Sequence, residues 1–267
     1  MGFQRTDVEA LSSALGEPGW VLDSRLAAWD TFSKLELPGE KDEPWRYTDL
    51  RRLRFNLDAF KPIPPDPGRE ITDLQLELIS QEQSRAGYVI QRDTDVVKVE
   101  LNADLAKRGV ILTDLGTAIR EYPELVRPYL HSEADHSGHI FDALQVALSS
   151  GGTFLYVPRG VTVELPIESQ RWIDEPGSAV FPRTLVVAEE GAEVTYIERL
   201  RSTELESPSL CNAAVEVFAG QASRVNLVTL QELGPQVWHF ANNRYKTERD
   251  VNLRSLILTL GSRFSRN

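Results

Sequence analysis

The sequence predicts a mainly β protein built on a β-solenoid of about 31 residues per coil and led in by a small α-helical unit. The first observation is a repeat: Val163, Val194, Val225 and Leu256 lie 31 residues apart, as do Leu165, Tyr196, Leu227 and Leu258, and all eight are apolar. The second is the alternation around them. Thr162, Glu193, Arg224 and Ser255 form one flanking series and Glu164, Thr195, Asn226 and Ile257 another, and seven of these eight are polar. Side chains alternate across a strand, so strands stacked at this period send one set inward and the other outward on every layer. The third is a further apolar series, Leu155, Val186 and Val217, at the same interval, which predicts two strands per coil around one core. A helical solenoid would show a 3.6-residue period instead. An antiparallel sandwich with uniform loops is the competing reading of this pattern.

Along the chain, Val8, Leu11 and Leu15, then Leu22, Leu26, Trp29 and Phe32, recur at three- or four-residue spacing and predict two amphipathic helices. Gly16, Pro18 and Gly19 separate them, and Pro38-Gly39 is expected to end the second. Four prolines in Pro62-Ile63-Pro64-Pro65-Asp66-Pro67-Gly68 predict an extended linker. Tyr88-Val89-Ile90 and Val96-Val97-Lys98-Val99 read as strands, while Leu112 to Leu130 and Ile140 to Leu148 read as helical, the latter capped by Ser137 or Asp135. After Gly151, strands are broken at Pro158-Arg159-Gly160, Glu189-Glu190-Gly191, Ala219-Gly220 and Gly234-Pro235. The expected division is a helical subdomain over 1–61, a linker and mixed α/β lead-in over 62–140, and a β-helix core over 141–267.

Forty acidic against 29 basic residues leave a net charge of −11, which argues against nucleic acid or an anionic membrane as partner. The one cysteine, Cys211, excludes an intramolecular disulfide framework and fits a reducing compartment. Asp7, Glu9 and Glu17 interrupt the first twenty residues, so no secretory core is read there, and no later stretch reaches a membrane-spanning length. The expectation is a cytoplasmic protein.

Four constellations invite chemistry. His131, Asp135 and His139 would share one face of a helix, as a divalent metal requires, but Ser137 and Gly138 predict a loop, so no metal site is assigned. Cys211 is placed at a turn without a basic neighbour and is not expected to be a reactive nucleophile. His239, inside Val237-Trp238-His239-Phe240, reads as a core histidine hydrogen-bonded to backbone. Glu189, Glu190, Glu193 and Glu198 offer paired carboxylates for sugar hydrolysis or cleavage. Arg224, one coil from Glu193, accounts for that carboxylate as a rung of an outer charge ladder. Phosphate-binding glycine loops and the His-Glu-x-x-His and Gly-x-Ser-x-Gly motifs are absent, so nucleotide hydrolysis would come from a partner.

The run Lys41-Asp42-Glu43-Pro44-Trp45-Arg46-Tyr47-Thr48-Asp49-Leu50 resembles the entry motif of the SufB/SufD family of the SUF iron–sulfur cluster assembly system, and its Trp-Arg-Tyr favours the SufD branch over SufB. Phe141-Asp142-Ala143-Leu144-Gln145, Gly152 to Pro158, Leu165-Pro166-Ile167, Pro182 to Val187, Glu190 to Val194, Trp238-His239-Phe240 and Asp250 through Ser262 extend the likeness over nearly the whole chain. The resemblance implies a right-handed parallel β-helix and a cytosolic, non-enzymatic scaffold that pairs with a SufB-like paralogue and is driven by a SufC-like ABC ATPase. It implies no resident cofactor, the cluster being assembled transiently with the partners. A carbohydrate-active β-helix is the alternative. Trp45 and Tyr47 are expected to pack against the core, with Thr48 capping the Asp49–Leu53 turn. The family's cysteine-and-histidine motif and its SufC-binding region fall beyond Asn267, and neither Cys211 nor His239 matches that motif. The chain is therefore expected to be a fragment whose open coil self-associates or is covered by a partner.

Overall fold

The repeat becomes parallel strand pairing in the computed structural model, which describes residues 2–80, 84–132 and 139–267. The chain opens with α1 (Arg5–Ala14) and α2 (Gly19–Phe32), then runs irregularly to a two-residue strand, β1 (Lys61–Pro62). A short helix α3 (Asp73–Ser80) leads to the hairpin β2 (Gly87–Arg92) and β3 (Asp95–Leu101), followed by α4 (Ala103–Lys107) and β4 (Ile111–Asp114). Three helices, α5 (Leu115–Glu121), α6 (Pro123–Val126) and α7 (Ile140–Leu148), precede the solenoid. Its strands are β5 (Gly152–Val157), β6 (Ile167–Ile173), β7 (Ser178–Val180), β8 (Arg183–Ala188), β9 (Glu193–Ser202), β10 (Ser209–Ala219), β11 (Arg224–Glu232), β12 (Val237–Thr247), β13 (Asn252–Gly261) and β14 (Phe264–Arg266).

These strands make two sheets on opposite sides of one core. The first runs β4-β5-β8-β10, with β7 and β12 also on β10, β1 on β7 and β14 on β12; the second runs β3-β2-β6-β9-β11-β13. Every pairing between solenoid strands is parallel. Leu155, Val186 and Val217 stack in register at the 31-residue interval and are fully buried, so the core series of the first sheet stands as expected. Val194 likewise pairs with Val225, and Tyr196 with Leu227, inside the second sheet.

The same series departs from the sequence expectation at both ends. Tyr196 pairs with Ile167, not with a residue 31 positions back, because Glu164-Leu165-Pro166 bows outward and leaves Leu165 exposed. Val225 pairs with Leu253, and Leu227 with Ser255, a spacing of 28. The corner after β9 occupies residues 203–208 whereas the corner after β11 occupies only 233–236, and β11 is one residue shorter than β9, so the last coil is three residues shorter. The contraction turns Leu256 and Leu258 to the outer face and Ile257 to the inner one. Ile257, the one apolar residue in the expected outward series, is thereby explained.

The opposite corner is invariant. Gly160, Gly191, Ala222 and Asp250 hold φ of 67°, 66°, 57° and 60° at the same position of four successive turns. The amides of Gly160, Gly191 and Ala222 each donate to the carbonyl of the residue before the next one in this column, at 2.8–3.1 Å. Glycine takes this left-handed conformation without strain, whereas Ala222 bears a cost of about 1 kcal/mol.

The helical lead-in and the solenoid share a core. Phe3, Val8, Trp29, Phe32, Trp45, Phe55 and Phe60 join Phe141, Leu144 and Leu148 of α7 and Trp238 and Phe240 of β12 in one buried cluster. Five local expectations are corrected. The buried side of α2 is Val21, Arg25, Ala28, Trp29 and Phe32, leaving Leu22 and Leu26 only partly covered. Arg25 turns inward to make two bonds to the Glu17 carboxylate and others to the carbonyls of Ala147 and Ser149, closing the C-terminal end of α7. The helix ends at Phe32, not at Pro38-Gly39, where Ser33 Oγ donates to the Asp30 carbonyl. Residues 111–114 form a strand against β5, not helix, and Asp114 caps α5 by accepting from the Thr117 amide. Trp45 is buried but Tyr47 is 92% exposed, and Asp49 caps the following turn, accepting from Arg51 and Arg52 amides, in place of Thr48.

Candidate functional site

Polar side chains alternate with apolar ones on the inner faces of both sheets, and midway along the strands they meet. Arg171 on β6 and Glu198 on β9 form an ion pair at 2.8 Å with both side chains 3% exposed. Arg171 also donates to Thr184 Oγ1 of β8 at 2.6 Å, and that hydroxyl donates to Glu198 at 2.8 Å. Thr153 on β5, Ser169 on β6 and Tyr196 on β9 complete the cluster. Burial pushes the Tyr196 hydroxyl above its ordinary range. The two charges stand on neighbouring strands of the second sheet and are held by each other, with the Thr184 hydroxyl reaching both from the opposite sheet.

A second network lies on the outer face of the first sheet, beneath α7. Arg183 pairs with Glu216 at 2.5 Å and donates to Gln145, whose amide reaches the Pro182 carbonyl. Asn212 donates to the Phe141 carbonyl at 2.7 Å. Asp142 receives Asn242 and, at 2.7 Å, Arg244 from β12. Burial raises the Asp142 carboxyl above the usual carboxylate range, and Arg244 opposes that rise. The helix α7, buried along its whole length, is thus fixed on the sheet face by apolar packing, by the Asp142–Arg244 pair and by hydrogen bonds through Gln145 and the Phe141 carbonyl.

A cavity of about 520 Å³ lies between the α1–α2 corner, residues 65–69, the β2–β3 turn and the start of α5. Its charged groups are engaged within the fold: Arg25 with Glu17, Arg69 with Asp93 and Asp95, and Arg120 with the Leu15 carbonyl.

The sequence candidates disperse. His131 takes φ 63° and meets Ser24 Oγ at 3.0 Å, His139 sits at the N-terminus of α7, and Asp135 lies outside the described residues, as does Ser137. No three His, Cys, Asp or Glu side chains converge as a ligand set among the described residues. Cys211 lies within β10, not at a turn, and burial pushes its thiol up to about 12, against a weaker opposing pull from Arg171. Glu193 pairs with Arg224 at 2.8 Å, the expected outer rung, while Glu190 pairs with Arg159 and Glu198 lies inside the core. Glu190, Glu193 and Glu198 are therefore held in three separate ion pairs.

His239 is fully buried in register between Cys211 and Ser265, and its Nδ1 meets Ser265 Oγ at 3.0 Å, a side-chain partner where backbone was expected. Burial lowers its pKa from 6.5 to about 4. The unfolded chain takes up the proton near pH 6.5 and the folded one does not, so stability falls as pH drops through that window. Between pH 7.5 and pH 4 His239 is expected to remove about 3 kcal/mol. Urea unfolding at both pH values checks this: His239→Gln should lose that share of the decline, and an equal decline in both proteins would refute it.

The buried pairs escaped sequence reading because each charge, taken alone, fits the polar phase of an alternating strand. Spacing was an available signal for Arg183 and Glu216, one 31-residue coil plus two residues apart, and for the half-buried pair Arg201–Glu232, one coil apart, but not for Arg171 and Glu198.

Residues 171–267 match the family model described as SUF system FeS cluster assembly, SufBD core domain, and residues 82–168 match that described as SufBD protein N-terminal region. The chain is 28% identical, over a 275-residue alignment, to an iron-sulfur cluster assembly SufBD family protein of Staphylococcus haemolyticus, and 29% identical over the same length to one of Staphylococcus epidermidis. A protein of that description from Staphylococcus aureus is 28% identical. Each alignment covers 99% of this chain and 58% of the relative, so the chain spans about three fifths of the length of the curated relatives it matches.

Proposed function

The chain belongs to the SufB/SufD family of iron–sulfur cluster assembly proteins, and from that premise we propose that it is a non-enzymatic scaffold subunit of the SufD type. It works with a SufB-like paralogue and a SufC-like ATPase in the cytoplasm, and the cluster is cargo held between subunits. The observation that carries this reading is the family match over the solenoid, whose buried charges are committed to one another. The Trp45-Arg46-Tyr47 entry supports the SufD branch, with Trp45 packed into the shared core and Tyr47 free on the surface. No described helix is long and apolar enough to cross a membrane.

Co-expression with SufB-like and SufC-like proteins tests the proposal. All three should elute together in gel filtration, and omitting this chain should lower the cluster yield of the assembly. A chain that elutes alone, with cluster yield unchanged by its omission, overturns it.

A further inference from the structure

The cavity beside the α1–α2 corner has walls fixed by bonds internal to the fold. Arg25 bonds twice to Glu17 and reaches the carbonyls of Ala147 and Ser149. Arg69, from the proline-rich linker, divides its guanidinium between Asp93 and Asp95. Arg120 ties α5 to the α1–α2 corner, donating to the Leu15 carbonyl at 2.9 Å and to Thr117 Oγ1 at 3.2 Å. The volume of about 520 Å³ lies in the range over which proteins hold small molecules, and the buried side chains of Val21, Leu115 and Ile119 make one side of it apolar.

The polar groups left over around it are acceptors. Asp66 and Asp114, both on the cavity wall, each give one carboxylate oxygen to a backbone amide, that of Gly68 at 2.9 Å and that of Thr117 at 2.8 Å, and neither has an ion pair among the described residues. Behind the wall stands Gln91, 1% exposed, whose Nε2 donates to the Asp93 carbonyl at 2.7 Å and whose Oε1 meets no donor. This amide presses against Gly151 of the wall, where a Cβ would stand 2.5 Å from Nε2, so the close approach needs a glycine.

These walls select the charge of an occupant. Each arginine on them is already held by carboxylate, carbonyl or hydroxyl oxygens, so an entering anion would face the carboxylates without a cation free to receive it. A primary ammonium has three N–H donors and no acceptor, and its bonds to a carboxylate are of the strong, charge-assisted kind. We propose that this cavity binds a small aliphatic primary amine in its ammonium form, the alkyl chain along Val21, Leu115 and Ile119 and the ammonium held by the Asp66 and Asp114 carboxylates. The inference stands on this cavity and is independent of the assigned cluster function.

The probes are hexylammonium and hexanoate, which share an alkyl chain and differ in the sign of the head group, titrated by isothermal calorimetry against the whole chain at pH 7.5. Hexylammonium should bind saturably at one equivalent, and hexanoate about tenfold more weakly or not at all. Asp66→Asn/Asp114→Asn removes both charges and keeps an oxygen for each backbone amide, so the fold should stand while hexylammonium binding falls about tenfold. An unchanged circular dichroism melt confirms that the variant folds, and Asp66→Asn alone, in the linker, reads one carboxylate if the double variant melts early. Absent binding of hexylammonium, equal binding of hexanoate, or hexylammonium binding indifferent to the asparagine substitutions overturns the proposal.

Discussion

Replacing Arg171 by Met is expected to destabilise the protein by about 3–5 kcal/mol, a large part of the roughly 5–15 kcal/mol that holds a typical domain folded. The cost comes less from the lost ion pair than from what remains. Glu198 is 3% exposed, and with the guanidinium gone its carboxylate keeps only the Thr184 hydroxyl inside a core that water does not reach. Removing both charges should then hurt less than removing one. Arg171→Met/Glu198→Leu is expected to recover most of the loss, because a buried pair and its apolar replacement are often nearly equal in stability. Urea denaturation of both single variants and the double closes the cycle. Additive losses would show that the two residues act independently and would refute the coupling.

Phe240→Ala is expected to cost about 3–5 kcal/mol as well, for a different reason. Phe240 stacks on Phe141 of α7 with centroids 3.8 Å apart and planes 13° apart, and Phe55 meets its edge at 5.4 Å. One ring thus joins β12, the covering helix and the N-terminal region, and its removal opens a cavity that all three border. Phe240→Leu, which fills most of that volume, should cost about 1–1.5 kcal/mol. Thermal or urea unfolding followed by tryptophan emission reads the change, since Trp45 and Trp238 belong to the same cluster. An alanine variant as stable as the parent would mean that the cluster relaxes around the gap.

How far sequence reached is clearest at Leu155, Val186 and Val217, where period and alternation together specified strand, stacking partner and burial. The repeat through Leu256 and Leu258 misled, because a fixed period assumes corners of fixed length. A corner of four residues in place of six carries no signature other than its own shortness. The interior charges were hidden for a related reason: alternation tells which side of a strand a residue takes only once the phase is known, and a long arginine among threonines reads equally well on either side. The aromatic cluster was legible only in part. Trp45 and Tyr47 were both assigned to the core, yet Tyr47, two residues past the end of the short 3-10 turn Glu43–Trp45, points to solvent.

The two corners of the coil also decide how such a protein can change length by insertion or deletion. At the left-handed corner each turn hydrogen-bonds to the one above, and a Cβ at Gly220 would stand 2.8 Å from the Glu190 nitrogen, so an added residue there would have no layer to occupy. At the other corner, residues 203–208 and 233–236 already differ by two residues while the coils above and below still mesh. Gene-level variation in this fold therefore has one permissive side, and a peptide tag or a small domain spliced into 203–208 would leave the stacked strands undisturbed.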